Sequence, residues 1–237
     1  MIRTIVALIC VHLCSSVVHA DADHSKFDAI LKGVVVNERV DYTKVKANHL
    51  DALNSYLAML AEAKPSSASR EEQLAYYINL YNATMIKAVL DRGPETFKPS
   101  DNDFAVFKEK LVRTEGKTIS LNELENDIIR KQFNDPRIHA ALVCAAVSCP
   151  PIIDRAYRGD DLDQVLTANM KRWINDPKRN EIDPAAKTLK LSKLFDWYNP
   201  DFGGPGKVAE FVQKYVDQNV AGFKVEFKEY DWTLNRK

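Results

Sequence analysis

Most of the chemistry that this sequence offers lies in one stretch of thirteen residues, 139–151, which reads H-A-A-L-V-C-A-A-V-S-C-P-P. His139 is the last histidine of the chain, and Cys144 and Cys149 are the only cysteines outside residues 1–20. The apolar residues between them are too few for a membrane span and are typical of a buried strand, ended by the turn Ser-Cys-Pro-Pro. The pattern predicts that this strand delivers the thiol of Cys149 to a turn.

These residue types are the ones that nucleophilic catalysis by a thiol requires. A thiol becomes an effective nucleophile when a base or a positive environment lowers its pKa, and the base in turn needs an orienting group. Cys149 and His139 supply the thiol and the base. Glu125, Asp196 or Asn79 would supply the orienting group. The first hypothesis is therefore a cysteine-dependent hydrolase or acyl transferase with Cys149, His139 and Glu125 as its catalytic residues.

The first 20 residues have the pattern of a secretory signal peptide. Arg3 supplies the positive start, residues 5–13 the apolar segment, and Val18-His19-Ala20 a small-residue cleavage pattern. The apolar segment is shorter than the roughly 20 residues of a spanning helix. We expect cleavage after Ala20, export to a periplasmic or extracellular compartment, and no membrane attachment of the mature chain, residues 21–237.

An exported chain can also join its two cysteines in a disulfide. A bridge needs Cα atoms within roughly 7 Å, whereas five extended residues span about 16 Å. The four residues between Cys144 and Cys149 include no Gly, Pro, Asn or Asp that would favour a reversal. We therefore expect Cys144 to be a buried inert thiol and Cys149 a separate thiol. Pro150 suits the first position of a helix, whose positive end would face the Cys149 sulfur.

Composition restricts the class of partner. The 33 basic residues balance 33 acidic ones, so no broad positive surface for nucleic acid is expected. Two cysteines and one histidine lack the spacing of a structural zinc site, and the absence of Cys-x-x-Cys disfavours redox exchange. We expect no metal and no cofactor, and a small molecule or peptide as the partner.

The strongest helix of the sequence is predicted over residues 71–91. Its apolar residues lie on several sides, which predicts a central helix that is nearly surrounded by protein. Asn79 and Asn82 interrupt this surface on one face; they either tie down loop backbone or line a pocket. Turns at Glu115-Gly116 and around residues 184–186 predict two hairpins. The predicted fold is one α+β, helix-rich domain over residues 21–237, with a small, mostly antiparallel sheet.

Four separated motifs carry a resemblance to a known family. They are Y-Y-I-N-L-Y-N-A, D-P-R-I-H-A-A-L-V-C-A-A-V-S-C-P-P, L-S-K-L-F-D-W-Y and Y-D-W-T-L-N. With them the chain resembles the domain of unknown function 547 (DUF547) family, which has no settled activity. The resemblance implies one intact domain and marks as site residues Asn79, Tyr81, Asn82, Glu125, His139, Cys144, Cys149, Pro150, Asp196, Trp197 and Tyr198.

The second hypothesis is a non-enzymatic domain that binds a ligand or a protein, in which Cys149 packs as a small hydrophobic residue. In that case the pocket is shaped by Asn79, Asn82, His139, Trp197 and Tyr198. The residues expected to bind substrate under the first hypothesis are Asn79, Tyr81, Asn82, Asp196, Trp197 and Tyr198. Papain-like geometry would be a likeness of arrangement alone, because the Cys-before-His order of papain-like enzymes is reversed here.

Overall fold

Ten α-helical segments and seven short strands form the regular structure of residues 22–237, the part of the chain that the computed structural model describes. The helices are α1 (Ser25–Val34), α2 (Tyr42–Lys44), α3 (Leu50–Glu62), α4 (Arg70–Arg92), α5 (Asp101–Lys108), α6 (Leu121–Glu123), α7 (Arg130–Phe133), α8 (Leu162–Ile174), α9 (Leu194–Trp197) and α10 (Val208–Gln213). The strands are β1 (Val35–Val36), β2 (Arg39–Val40), β3 (Val112–Thr114), β4 (Lys117–Ile119), β5 (Glu181–Asp183), β6 (Thr188–Leu191) and β7 (Lys224–Phe227). The predicted signal peptide lies outside the described residues.

Helices of other types complete the framework. Two π-helical segments, Val45–His49 and Leu124–Ile129, join α2 to α3 and α6 to α7. Short 3₁₀ helices span Pro65–Ser67, Pro136–Ala140, Gly159–Asp161 and Asn199–Phe202. The fold is α+β and rich in helix, as predicted. Among residues 22–237, no helix is both long enough and apolar enough to cross a membrane.

Helix α4 lies at the centre of the fold, as predicted. Residues 74–90 are all buried except Lys87. Ser69 caps the helix by accepting a hydrogen bond from the Glu72 backbone N–H at 3.1 Å, and Gly93 ends it with a φ of 82°. A side chain on almost any side of α4 therefore reaches the core or a neighbouring loop.

The strands form three small sheets. β1 pairs with β2 and β3 pairs with β4, both antiparallel, and the second pair turns at Glu115-Gly116 as predicted. In the third sheet β5 and β6 form the second predicted hairpin, and β7 joins β6 in parallel. The mostly antiparallel pairing that the sequence predicted is therefore present, but it is divided among three sheets.

The predicted buried strand between His139 and Cys149 is wrong. Its first residues belong to the 3₁₀ helix Pro136–Ala140, and residues 141–149 are irregular apart from one bridge between Ala146 and Leu234. The segment is buried, as an apolar strand would be, but side chains and the C-terminal segment take up its backbone groups. The Asn82 amide, for example, bonds the carbonyl oxygen of Ala141 and the N–H of Val143, both at 2.9 Å.

Two groups of buried hydrophobic side chains form the core. The larger surrounds α4, and the smaller joins α8, α9, α10 and the three-stranded sheet. In the smaller group Trp173 stacks on Phe195 with ring centroids 4.7 Å apart, and Phe195 packs on Phe202 at 4.6 Å. This packing fixes the 3₁₀ helix Asn199–Phe202, which carries part of the candidate site.

Candidate functional site

A cavity of about 320 Å³ brings together most of the residues that the sequence singled out. One part of its lining can react or carry charge: Lys108, Glu125, His139, Cys144 and Cys149. Another part is aromatic: Tyr81, Phe104, Phe107, Trp197, Tyr198, Tyr230 and Trp232. Asn122, Leu142, Pro150 and Leu194 complete the lining. A cavity of this size and mixed character is typical of a small-molecule site.

Cys144 and Cys149 form a disulfide, so the prediction of two separate thiols is wrong. Their Cα atoms lie 6.2 Å apart. The chain reverses because Ala145 adopts a left-handed conformation, with a φ of 66°, and because the Cys149 N–H bonds the Ala146 carbonyl at 3.1 Å. An alanine has a steric cost in this conformation, which surrounding contacts must offset. The predicted helix at Pro150 is also wrong, because the chain stays irregular until Gly159–Asp161.

The two cysteines differ in exposure. Cys149 is only 1% exposed, whereas Cys144 is half-buried, so Cys144 is the more accessible residue. The hydroxyl of Tyr230 lies 3.1 Å from the Cys144 Sγ and 3.4 Å from the Cys149 Sγ. On the other side, Arg179 Nε donates to the Cys149 carbonyl oxygen at 2.6 Å. These contacts hold the disulfide loop against the cavity wall.

His139 is oriented by a carboxylate that the sequence analysis did not select. Its Nε2 lies 2.7 Å from Asp201 Oδ2. Arg130 binds the same carboxylate with two parallel bonds, from Nε at 2.7 Å and from Nη2 at 2.8 Å. Burial opposes the charge of Asp201, but the hydrogen bonds from His139 and Arg130 outweigh it and hold the pKa of Asp201 well below its usual range. An ionised Asp201 accepts a hydrogen bond from the Nε2–H of His139.

The imidazole of His139 is also fixed by ring packing. The ring of Tyr198 lies 4.2 Å from it and the ring of Phe202 lies 5.3 Å from it, measured between centroids. Within residues 22–237 no group forms a hydrogen bond with Nδ1, and His139 borders the cavity. With the proton on Nε2, Nδ1 keeps a lone pair and can act as a base.

Glu125 lies in the π-helical segment Leu124–Ile129 and is only 8% exposed. Three tyrosines, Tyr81, Tyr198 and Tyr230, line the same cavity. Burial raises the pKa of all three phenols, and the negative charge of Glu125 is the next largest cause. The phenols therefore remain protonated and can donate hydrogen bonds at physiological pH.

Three residues predicted to bind substrate lie away from this cavity. Asn79 bonds the carbonyl oxygen of Tyr157 at 2.8 Å and its N–H at 2.9 Å. Asn82 bonds the backbone of the 139–149 segment in the same way, at Ala141 and Val143. Both amides therefore stabilise loop backbone. Asp196 pairs with Lys193 at 2.7 Å. The other predicted binding residues, Tyr81, Trp197 and Tyr198, do line the cavity.

Several residues of the site escaped the sequence analysis. Asp201 and Arg130 orient His139, and no spacing rule connects either residue with residues 139–151. Tyr230 and Trp232 belong to the closing motif Y-D-W-T-L-N, which pointed to the family and not to a site. Phe104 lines the cavity from a stretch of left-handed backbone, with a φ of 60°. Among residues 22–237, no group of three or more His, Cys, Asp or Glu side chains could hold a metal ion.

Fold and site together define a helix-rich α+β domain whose aromatic cavity holds a disulfide, a buried glutamate and a histidine anchored by aspartate. Residues 65–174 match the model of the family described as Protein of unknown function, DUF547, which confirms the resemblance found in the sequence. The chain is therefore similar to this family over slightly less than half of its length. The match covers α4, Glu125, His139 and both cysteines, whereas Trp197, Asp201 and Tyr230 lie beyond it. Searches of curated proteins and of solved structures found no match.

Proposed function

We propose that this cavity is the active site of a cysteine-dependent hydrolase or acyl transferase that acts on an amide, ester or similar acyl bond. One observation carries the proposal: the sulfurs of Cys144 and Cys149 line the same cavity as a histidine whose Nε2 is held by Asp201. A nucleophile, a base and an orienting carboxylate are the parts that covalent acyl transfer requires. The substrate is a small molecule or a peptide, since the cavity is of ligand size.

The disulfide is the resting form in this proposal, and a dithiol reductant opens it. The reductant transfers two electrons and two protons to the Cys144–Cys149 bond, which gives two protein thiols, and it closes to its own disulfide. Burial favours Cys144 as the nucleophile over the predicted Cys149, because Cys149 is almost fully enclosed. Cys149 closes the disulfide again when an oxidised dithiol partner accepts the two electrons and two protons.

The reaction then proceeds in two halves. His139 Nδ1 takes the thiol proton, and the Cys144 thiolate attacks the acyl carbon to form a thioester. The leaving amine or alcohol takes the proton from the imidazolium as its bond to the acyl carbon breaks. In the second half Nδ1 deprotonates a water or acceptor molecule, which attacks the thioester, and the sulfur leaves and regains the proton from His139.

The proposal includes a papain-like arrangement of thiol, imidazole and orienting side chain. It is supported by the Asp201–His139 hydrogen bond, which fixes the tautomer as the third member of a triad does. The chain order of these residues is His139, Cys144, Asp201, so the likeness would be one of geometry. Asp201 takes the orienting role that the sequence analysis gave to Glu125, Asp196 or Asn79.

We also propose that the mature protein is exported. The signal-like pattern of residues 1–20 supports this, and a disulfide is suited to an oxidising compartment. Export and catalysis are separate proposals, because the thiol chemistry requires a reductant that such compartments supply only locally.

A non-enzymatic binding domain is the second candidate function. The disulfide itself favours it, because neither sulfur is a nucleophile while the bond is closed. In that case the cavity binds a ligand, and the disulfide and the His139–Asp201 pair only shape its wall.

The test is a burst experiment with an excess of a p-nitrophenyl ester and the variant Cys149→Ala, which needs no reductant because its disulfide cannot form. We expect release of about one equivalent of p-nitrophenol and an acyl group on Cys144, located by mass spectrometry. The oxidised wild type is the matched control and should give no burst. A burst that persists in Cys144→Ala, or no burst in reduced wild type and Cys149→Ala that remain folded, would overturn the proposal.

A further inference from the structure

Glu125 is a buried carboxylate without a cationic partner. It is only 8% exposed, and within residues 22–237 it forms no ion pair. Arg130, which feels the charge of Glu125, gives its hydrogen bonds to Asp201 and to Asn126 Oδ1 instead. Buried charges in proteins are normally paired, because leaving one without a partner is costly. Glu125 therefore lacks a positive group, and it borders a cavity.

The same cavity has a continuous aromatic wall made by Trp197, Tyr230 and Trp232. The ring centroids lie 4.9 Å apart for Trp197 and Tyr230, 4.5 Å for Tyr230 and Trp232, and 5.7 Å for Trp197 and Trp232. Trp197 is 44% exposed, and no other large hydrophobic side chain of residues 22–237 is as open to solvent. Indole and phenol faces attract cations through the ring quadrupole, and tryptophan does so best.

Phe104 extends this wall, and its backbone is in a strained conformation. Its ring meets Trp232 edge to face, with centroids 4.8 Å apart. Asn102, Asp103 and Phe104 take left-handed conformations in succession, at φ values of 51°, 54° and 60°. A bulky residue rarely adopts this conformation, and such strain concentrates at ligand-binding sites.

We propose that the cavity binds an organic ammonium ion, with the positive group held between Glu125 and the wall of Trp197, Tyr230 and Trp232. Primary and quaternary ammonium groups share the required positive charge, and a quaternary group adds apolar methyl groups that suit the aromatic wall. The inference deepens the proposed function by naming the substrate class, and it rests on that proposal only for the reaction that follows binding. The cation itself would bind whether or not the disulfide is open.

Other charges at the cavity do not cancel that of Glu125. Lys108 lines the cavity, but its ammonium pairs with Asp103 at the exposed rim. His139 donates a hydrogen bond from Nε2 to Asp201, so this edge of the imidazole already faces a carboxylate. An anionic ligand would share this cavity with the Glu125 carboxyl group, which forms no ion pair among residues 22–237, and this disfavours it.

The first test compares matched ligands on the unaltered, oxidised mature protein by calorimetry and by tryptophan fluorescence. The probes are choline, its uncharged isostere 3,3-dimethyl-1-butanol, n-butylammonium and butyrate. We expect saturable binding of both ammonium ions, with choline at least about tenfold tighter than its isostere, because a hydrogen-bonded or close charge contributes that much. The inference is wrong if the isostere binds as tightly as choline, if butyrate binds best, or if neither ammonium ion binds in the millimolar range.

The second test removes the two recognition groups separately. Glu125→Gln keeps the shape of the side chain and removes its charge, and Trp197→Leu removes the most exposed ring of the aromatic wall. Asp127→Asn is the matched control, because Asp127 lies on the same π-helical segment and pairs with Lys131 in solvent. We expect each of the first two variants to weaken choline binding about tenfold and the control to leave it unchanged.

These results separate the two proposals. Ammonium binding without an ester burst would leave the inference standing and remove the catalytic proposal. A burst that is equally fast with neutral and cationic esters would support the catalytic proposal and would contradict recognition of an ammonium group. Equal choline affinity in Glu125→Gln and Asp127→Asn, both folded by circular dichroism, would overturn the inference.

Discussion

Asp201 Oδ2 lies 2.7 Å from His139 Nε2, although 62 positions separate the two residues. The bond connects the 3₁₀ helix Pro136–Ala140, at the edge of the disulfide loop, with the 3₁₀ helix Asn199–Phe202. It leaves Nδ1 as the basic nitrogen at the cavity. The catalytic proposal depends on this tautomer more than on any other feature.

The substitution Asp201→Asn should therefore slow thiol chemistry without unfolding the protein. An amide at this position lacks the charge that fixes the Nε2 proton, so we expect the acylation burst to slow by about 10²-fold or more. Stopped-flow measurement of the Cys149→Ala protein with and without the change gives the rate. Asp196→Asn is the control, because Asp196 lies nearby in the chain but pairs with Lys193. Equal loss in both variants would contradict the assigned role.

Asp201 should also contribute to acid sensitivity. Its pKa in the folded protein is lowered from the ordinary value of 3.8, so its contribution to stability is present above that value and is lost as the pH falls through the folded pKa. Urea unfolding of wild type and Asp201→Asn at several pH values between neutrality and pH ~2 should show this. We expect the stability advantage of the wild type to shrink on acidification. A constant advantage at all pH values would contradict the expectation.

Because Ala145 is left-handed, replacing it with glycine should not lower the free energy of unfolding, as glycine substitutions usually do. Ala145→Gly removes a steric cost of about 1 kcal/mol, partly offset by the greater freedom of the unfolded chain, so we expect unchanged or raised stability. Ala146 is the matched control, since it is equally buried and is not left-handed. Ala146→Gly should lower the free energy of unfolding by about 1 kcal/mol. If thermal or urea unfolding showed that Ala145→Gly is less stable than Ala146→Gly, the chain reversal would not depend on a left-handed residue 145.

The side-chain amide of Asn82 should contribute to the stability of the fold and not to ligand binding. Asn82→Ala leaves the buried N–H of Val143 and the carbonyl of Ala141 without their partner, which costs about 1–3 kcal/mol for each unsatisfied group. Asn48→Ala, at an exposed position, should change the free energy of unfolding by less than about 0.5 kcal/mol. Chemical unfolding measures both. A neutral Asn82→Ala would show that the loop backbone is held by other contacts.

The sequence predicted those parts of the fold that depend on local pattern. The broad apolar surface of residues 71–91 predicted the central helix, and turn residues such as Glu115-Gly116 predicted the hairpins. The family motifs pointed to Tyr81, Trp197 and Tyr198, which the structure brings to the cavity. In each case a run of neighbouring residues held the information.

The errors arose where distant contacts override local preference. No residue near Cys144 favours a reversal, yet contacts of the Asn82 amide and of the C-terminal segment hold Ala145 in a left-handed conformation. Apolar composition predicts burial correctly but does not reveal that side chains, in place of strand partners, satisfy the backbone. Asp201 could not be found because its only signal is its distance to His139, which exists only in the folded chain.

The proposed catalysis requires that the His139–Asp201 pair activate a thiol in this cavity. Alkylation of the mature protein with iodoacetamide across a pH series, before and after reduction, tests it most directly, with peptide mapping to locate the label. We predict no labelling before reduction and, after it, labelling of Cys144 well below the ordinary thiol pKa of about 8.5. His139→Gln should shift the labelling profile up to that value, while Asp196→Asn should not. Labelling of both cysteines only near pH ~8.5 or above, with the same profile in His139→Gln, would contradict the account.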